Sequence, residues 1–243
     1  MTSTKTYLNQ VHLEPLAPDL WTLAQPLEFM KTQVGTRTTV VRLPDGKLWI
    51  HSPGPQLPGV YHELKALGDV AYLIAPNPLH HMFLPRALQM FPDAVIYAPR
   101  AVQKKHPRLP MALFQPGKAS PWPWLEHVGA LPLQGLRIEE WVFFHKASQT
   151  LMLTDLLFNM QAEDWPTRLM LHAEGVYNKL GCTRLVAHVL LNNRTALRKS
   201  CERILTWDFA RMLMCHGTPV DNDARAKFVE AMAFTGITQE SLS

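Results

Sequence analysis

Cysteine is scarce in this chain. The three present, Cys182, Cys201 and Cys215, are an odd number with no C-x-x-C pair. That fits reduced thiols in a cytoplasmic protein better than a disulfide framework. Long apolar runs are missing: no window reaches the roughly 18 consecutive apolar residues of a membrane helix. Met1 to Met30 lacks the basic start and apolar core of a signal peptide. A soluble, cytoplasmic protein with no membrane partner is expected. Charged residues make up only 18% of 243 residues against 47% hydrophobic, which leaves ample material for a core and no case for disorder. There is no internal repeat and no low-complexity tract, so residues 1–243 are read as one domain.

The formal net charge of +4 gathers in two groupings, 100–108 and 194–203. In the second, Arg194, Arg198, Lys199 and Arg203 share one face at helical spacing. Stacking aromatics do not interleave with either grouping, as a nucleic-acid surface requires. A solvated helix face is the simpler reading, and no nucleic-acid partner is expected. Prolines are plentiful, 20 in all. Pro107, Pro110, Pro116, Pro121 and Pro123 mark a long, irregular but ordered surface connection.

Thr38 to Leu43 alternates and is rich in Val and Thr. The turn Pro44-Asp45-Gly46-Lys47 and the run Leu48 to His51 then complete a hairpin. Val60 to Leu67 reads as a helix, Val70 to Ala75 as a strand, Leu84 to Met90 as a helix and Ala94 to Ala98 as a strand. A second hairpin joins Trp141–Phe144 to Thr150–Leu153. Helical periodicity follows at Arg168 to Lys179 and Thr195 to Leu205, with Leu185 to Leu190 either strand or helix. Arg211 to Met214 is a strand. Asp223 to Ala233 is a closing helix that Asp221 or Asn222 can cap. This is a mixed α/β layout.

Three of the strands end in metal-ligating residue types. Leu73-Ile74-Ala75 leads through Pro76-Asn77-Pro78-Leu79 to His80-His81, Leu151-Met152-Leu153-Thr154 leads to Asp155, and Met212-Leu213-Met214-Cys215 leads to His216. Strands that deliver imidazole and carboxylate groups at their C-terminal ends are how α/β folds gather a polar site in one crevice. Zinc and iron both accept these donors.

Several segments together resemble the metallo-β-lactamase superfamily, and more narrowly a branch of it known as a domain of unknown function. They are Leu20-Trp21, Arg42 to Pro53, Pro76 to His81, Phe143 to Leu151, Asp155 to Phe158 and His216-Gly217-Thr218-Pro219. The resemblance implies an α/β fold, an αββα sandwich of two mixed β-sheets flanked by helices, with one or two metal ions at one edge. The superfamily's first metal loop reads H-x-H-x-D-H. Aligning its last histidine with His81 puts His80 at the aspartate and Pro76 and Pro78 at the leading histidines; a shift of one puts Asn77 and Leu79 there. The Gly-His ligand before the strand-end aspartate is also missing, with His127 and Glu140 the only nearby substitutes. Asp155 matches the aspartate that bridges two metals, and His216 matches the last histidine. The resemblance therefore implies at most a mononuclear site.

Adjacent histidines on an extended segment point opposite ways, so one of His80 and His81 faces the metal, with His81 preferred. Asp155 and His216 either hold a metal or form a buried ion pair, because an unpaired carboxylate in a dry site is costly. Asn77 is expected to orient substrate and Glu140 to act as an outer-shell or proton-transfer group. His51, Ser52, His145, Trp122 and Trp124 are read as structural, and Cys215 as a small core residue pointing away from His216. The resulting expectation is a metal-dependent hydrolase in which one zinc or iron ion lowers the pKa of water toward about 7 for attack on an ester, amide or phosphoester. The alternative is a metal-free, non-catalytic protein that binds a small ligand or a protein partner. The substrate and oligomeric state have no signature in the sequence.

Overall fold

The computed structural model describes residues 11–114, 122–162 and 164–242. In chain order the elements begin with strands β1 (Glu14–Ala17), β2 (Leu20–Gln25), β3 (Glu28–Phe29), β4 (Thr32–Gln33), β5 (Thr36–Arg42) and β6 (Leu48–His51). They continue with helix α1 (Tyr61–Leu67), β7 (Val70–Ile74), α2 (Leu84–Met90), β8 (Val95–Ala98), α3 (Arg100–Lys105) and β9 (Met111–Leu113). The second half holds β10 (Val128–Leu133), β11 (Glu140–His145), β12 (Thr150–Leu153), α4 (Trp165–Glu174), α5 (Arg194–Leu205), β13 (Arg211–Met214) and α6 (Ala224–Ala231).

One sheet runs β1-β2-β5-β6-β7-β8-β9, another β10-β11-β12-β13, and β3 and β4 form a small hairpin of their own. The two larger sheets are mixed: β5 and β6 are antiparallel while β6, β7, β8 and β9 are parallel, and β12 pairs parallel with β13.

Strand alternation creates three apolar layers. Val41, Trp49, Tyr72 and Ile74 of the first sheet meet Val128, Phe143, Met152 and Leu213 of the second, so this layer lies between the sheets. The other faces of the same strands present Val40, Ile50, Leu73 and Ile96 to Leu64 of α1, Leu84 of α2 and Val102 of α3. On the far side Val142, Phe144, Leu151 and Met212 pack against Leu197 and Ile204 of α5 and Phe228 of α6. Strands covered on both faces read as unbroken apolar runs, as Leu151-Met152-Leu153 and Met212-Leu213-Met214 do. Helix, sheet, sheet, helix is the resulting order.

Both expected hairpins form, with registers Thr39↔His51 to Arg42↔Leu48 and Phe143↔Met152 to His145↔Thr150. Differences from the sequence expectations have local causes. The helix expected at Arg168 to Lys179 is Trp165–Glu174, because Asp164 Oδ1 caps it through Thr167 N at 2.9 Å and Gly175 stops it at φ 74°. Leu185–Leu190 is a π-helical turn. The residue before the last helix is Asp223 rather than Asp221 or Asn222, and its side chain makes no cap. The proline-rich connection contains β9, its residues 115–121 lie outside the described ones, and Trp124 at its end is fully buried between the sheets. The four strands before Thr36 carry few long apolar runs and had no pattern to announce them.

Candidate metal centre

The polar residues gather where strand ends of both sheets meet. β7 runs into the segment carrying Asn77 and His80, β12 into Asp155, and β13 into His216. The Nε2 atoms of His80 and His216 lie 3.4 and 3.3 Å from Asp155 Oδ2 and Oδ1. One ligand atom from each residue falls within 4.8 Å of the other two, and no other group of three such residues does so among the described residues. Each of the three side chains keeps 8–10% of its surface exposed, so the site is nearly buried but not sealed.

Both imidazoles are held from behind. His216 Nδ1–H donates to Gly35 O at 2.9 Å, and its ring stacks on Phe158 at 4.7 Å. His80 Nδ1 meets Ser52 Oγ at 2.7 Å. Fixing Nδ1 in an outer hydrogen bond directs Nε2 inward, the arrangement metal-ligating histidines adopt. Ser52 sits at φ 51°, an uncommon conformation for a non-glycine residue, directly after β6. Beyond His216, Gly217 has φ 97°, and a Cβ there would meet Asn159 O at 2.0 Å. The tight turn after the last ligand therefore requires glycine.

A second layer orients Asp155. Asn77 Nδ2 donates to Asp155 Oδ2 at 2.5 Å and to Thr154 Oγ1 at 3.2 Å. Glu140 Oε1 accepts from Thr154 Oγ1 at 2.7 Å, Asp155 N at 3.0 Å and Leu156 N at 3.2 Å. Arg37 is buried and donates to Met214 O, Gly217 O and Thr22 Oγ1, which pins the loop holding His216 to the first sheet. A cavity of about 220 Å³ lies next to the His216 segment, lined in part by Gln25, Val34, Arg37, Met160, Cys215 and Gly217 and by none of the three triad residues.

The protonation pattern follows from burial and proximity. Burial alone would keep His80 neutral, but the Asp155 carboxylate and the Cys215 thiol outweigh it and raise the imidazole well above its ordinary range. Burial raises Asp155 too, yet the two imidazoles hold it well below the usual carboxylate range. Burial and the charge of Asp155 push Glu140 up to about 7.

Several expectations need correction. His81, preferred as the ligand, is turned outward: its Nδ1 lies 2.7 Å from His106 Nε2 and its Nε2 accepts from Lys105 Nζ at 3.2 Å. His80 takes its place, which agrees with the alignment that puts His80 at the aspartate position. Asn77 is not available to orient substrate, because it is fully buried and every polar atom of its amide is engaged within the protein. Of the two substitutes for the missing Gly-His, only Glu140 is near, whereas His127 lies at the opposite end of the sheet beside His145. Cys215 is a buried core residue, as expected, with Sγ 3.4 Å from Arg37 O. Ser52, read as structural, supports the His80 imidazole, and Arg37 was missed. Ser52 follows a strand of the same sheet at the same edge, a usable signal, whereas a buried arginine among threonines gave none. His51 is structural as expected: it is fully buried, stacks on Trp49, and neither ring nitrogen has a partner.

Three layers of core around two mixed sheets, with a polar cluster at one edge, define the metallo-β-lactamase fold. Solved structures share it. The metal-soaked Flv1 flavodiiron core from Synechocystis sp. PCC6803 superposes with a TM-score of 0.67 at 12% identity, over 93% of this chain and 61% of that one. A putative diflavin flavoprotein fragment from Nostoc sp. PCC 7120 gives 0.67 at 14% identity over 93% and 96%. The FIM-1 metallo-β-lactamase from Pseudomonas aeruginosa, in a mono-zinc form, gives 0.60 at 11% identity over 96% and 97%. The chain thus spans less than two thirds of the Flv1 core and nearly all of the other two. At such identities the likeness is one of fold. Residues 18–180 match the DUF4336 family, a domain of unknown function, and the chain belongs to that family. No curated protein sequence matches it.

Proposed function

We propose that this protein is a metal-dependent hydrolase with a mononuclear site formed by His80, Asp155 and His216. The observation that carries the reading is the spacing of the ligand atoms. A direct imidazolium–carboxylate hydrogen bond is about 2.7–2.9 Å long, whereas donors about 2.0–2.1 Å from a tetrahedral ion stand about 3.3 Å apart. The two N···O separations, 3.4 and 3.3 Å, run to different oxygens of Asp155 and are longer than a direct hydrogen bond, and one ligand atom from each residue lies within 4.8 Å of the others, which leaves room for an ion between them. The donor set of two imidazoles and one carboxylate suits zinc or ferrous iron and leaves a position open. Such an ion supplies Lewis-acid polarisation of a carbonyl or phosphoryl oxygen and activates water at neutral pH.

The chain's own residues have separate tasks in this scheme. Ser52 and Gly35 O hold the two imidazoles in the ligating orientation, Asn77 holds the Asp155 carboxylate, and Glu140 holds the backbone turn that carries it. Glu140, neutral or ionised around pH 7, also keeps one carboxylate oxygen without a hydrogen-bond partner, Oε2. The substrate class is an ester, amide or phosphoester. Metal content of the purified, untagged protein tests the reading, with His216→Ala as control. About one zinc or iron per chain, lost in the variant, is expected. Equal metal content in both would reject these ligands.

A second reading is a non-catalytic binding protein. It is favoured by Pro76 and Pro78 at the leading ligand positions and by the proximity of the Asp155 carboxylate, which raises His80 above the ordinary imidazole range and so favours a proton there in place of an ion. Its expected outcome is protein free of metal in both forms, with unchanged thermal stability on adding zinc.

A further inference from the structure

We propose that the Asn77 carboxamide is a fixed substitute for a second cation, and that it makes the site obligately mononuclear; this rests on the reading of the triad as a metal centre. Asn77 lies between Pro76 and Pro78, neither of which offers a ligand atom. It is fully buried. Its Oδ1 accepts from Leu79 N at 2.8 Å and His80 N at 3.0 Å, and its Nδ2 donates to Asp155 Oδ2 at 2.5 Å and Thr154 Oγ1 at 3.2 Å.

The amide orientation is determined from both sides. Two backbone N–H groups require its oxygen at one end. At the other, the Thr154 hydroxyl donates its only proton to Glu140 Oε1 at 2.7 Å and so can only accept from Asn77. The N–H therefore points at Asp155 and cannot flip away.

That contact uses the carboxylate in a specific way. Asp155 Oδ1 faces His216, while Oδ2 faces both His80 and the Asn77 amide. A carboxylate that bridged two ions would give one of its oxygens to the second ion, and here an N–H dipole already takes part of Oδ2. Displacing it would also strip Oδ1 from the Leu79 and His80 amides, in a pocket with no water-exposed surface on Asn77. Because the amide is neutral, the whole negative charge of Asp155 remains for one cation. The same side chain also joins the main chain of one ligand, His80, to the carboxylate of another, so it sets the distance between them.

The test is a zinc titration of the full chain against a chromophoric chelator, comparing wild type with Asn77→Asp and Asn77→Ala, each checked for folding by circular dichroism. Wild type should bind one tight equivalent. Asn77→Asp places a second carboxylate against Asp155, an arrangement that needs a cation to stay ionised, and should take up a second equivalent that the chelator removes first. Asn77→Ala should still bind one, about 10–100-fold more weakly, as expected for loss of a group that orients a ligand. If Asn77→Asp does not fold, the Asn77→Ala affinity decides. Two tight ions in wild type would overturn the proposal. So would variants that match wild type in both stoichiometry and affinity. No zinc in any of the three proteins would instead overturn the metal reading itself, and with it the role of Asn77.

Discussion

At the scale of single residues, the turn after β7 decides between two adjacent histidines. Asn77 Oδ1 binds the amides of Leu79 and His80, an Asx-type turn that aims the His80 ring inward and leaves His81 facing Lys105 and His106. Metal content should therefore vanish in His80→Ala and persist in His81→Ala, as plasma mass spectrometry would show; the reverse pattern would reject the assignment. Ser52→Ala keeps the ligands but releases His80 Nδ1, and should weaken metal binding about 10–100-fold in a chelator competition. His51 supplies a different kind of prediction. Burial, helped by His80, lowers its pKa to about 3, so the unfolded chain binds the proton first as pH falls. Stability should drop progressively below about pH 6.5 toward pH 3, by at most about 5 kcal/mol from this group. His51→Phe fills the same slot between Trp49 and Phe143 and removes two unpartnered nitrogens. Urea titrations across that pH range should show the variant with a shallower acid loss; identical slopes would contradict the origin assigned here.

At the scale of elements, the site depends on how strand ends are tied to one another. Glu140 starts β11 and caps the Thr154–Leu156 turn at the end of β12 with three accepted hydrogen bonds. Its carboxyl, pushed up to about 7, holds a proton in the folded state that the unfolded chain releases above pH 4.5. That contribution makes stability fall as pH rises from about 4.5 to 7. Glu140→Gln mimics the protonated acid and should flatten this slope at a cost within about 1 kcal/mol. Glu140→Ala leaves buried donors unpaired and should lose about 2–4 kcal/mol, both read from denaturant melts. Arg37 ties β5 to the turn after β13, so Arg37→Met should cost about 3–5 kcal/mol, because it removes the guanidinium bonds to the carbonyls of Met214 and Gly217 in a buried setting. The elements themselves were readable where one period dominated. Leu84–Met90 and Thr150–Leu153 emerge at the expected bounds, since their apolar residues face a core on a single stripe or on both faces. The short strands β1, β3 and β4 have mostly exposed or half-exposed residues, and pairing alone creates them.

At the scale of the molecule, the sandwich brings three segments 60 to 140 residues apart to one edge, and it was the strand-end chemistry of those segments that made the site legible. Which histidine pointed inward was not legible, because that depends on an amide bonding two residues along the chain and across to the other sheet. Nor was the role of Arg37, which donates to the carbonyls of Met214 and Gly217 and to the Thr22 hydroxyl on distant segments; Ser52 stood at a readable strand end, but its bond to His80 Nδ1 depends on how the turn after β7 folds. No helix among the described residues is long and apolar enough to cross a membrane. A metal that binds only the folded protein should stabilise the folded state by about 4 kcal/mol at a thousandfold excess over its Kd. For a chain of this size that raises Tm by roughly 10 °C, a shift that His216→Ala should abolish.

The most direct measurement is metal content by plasma mass spectrometry on untagged protein, taken side by side for wild type, His80→Ala and His216→Ala. One zinc or iron per wild-type chain and none in either variant is the outcome expected of a mononuclear centre at His80, Asp155 and His216. Metal retained in the variants would place the ion elsewhere, and metal-free wild-type protein that stays so after incubation with zinc or ferrous iron would contradict the centre altogether.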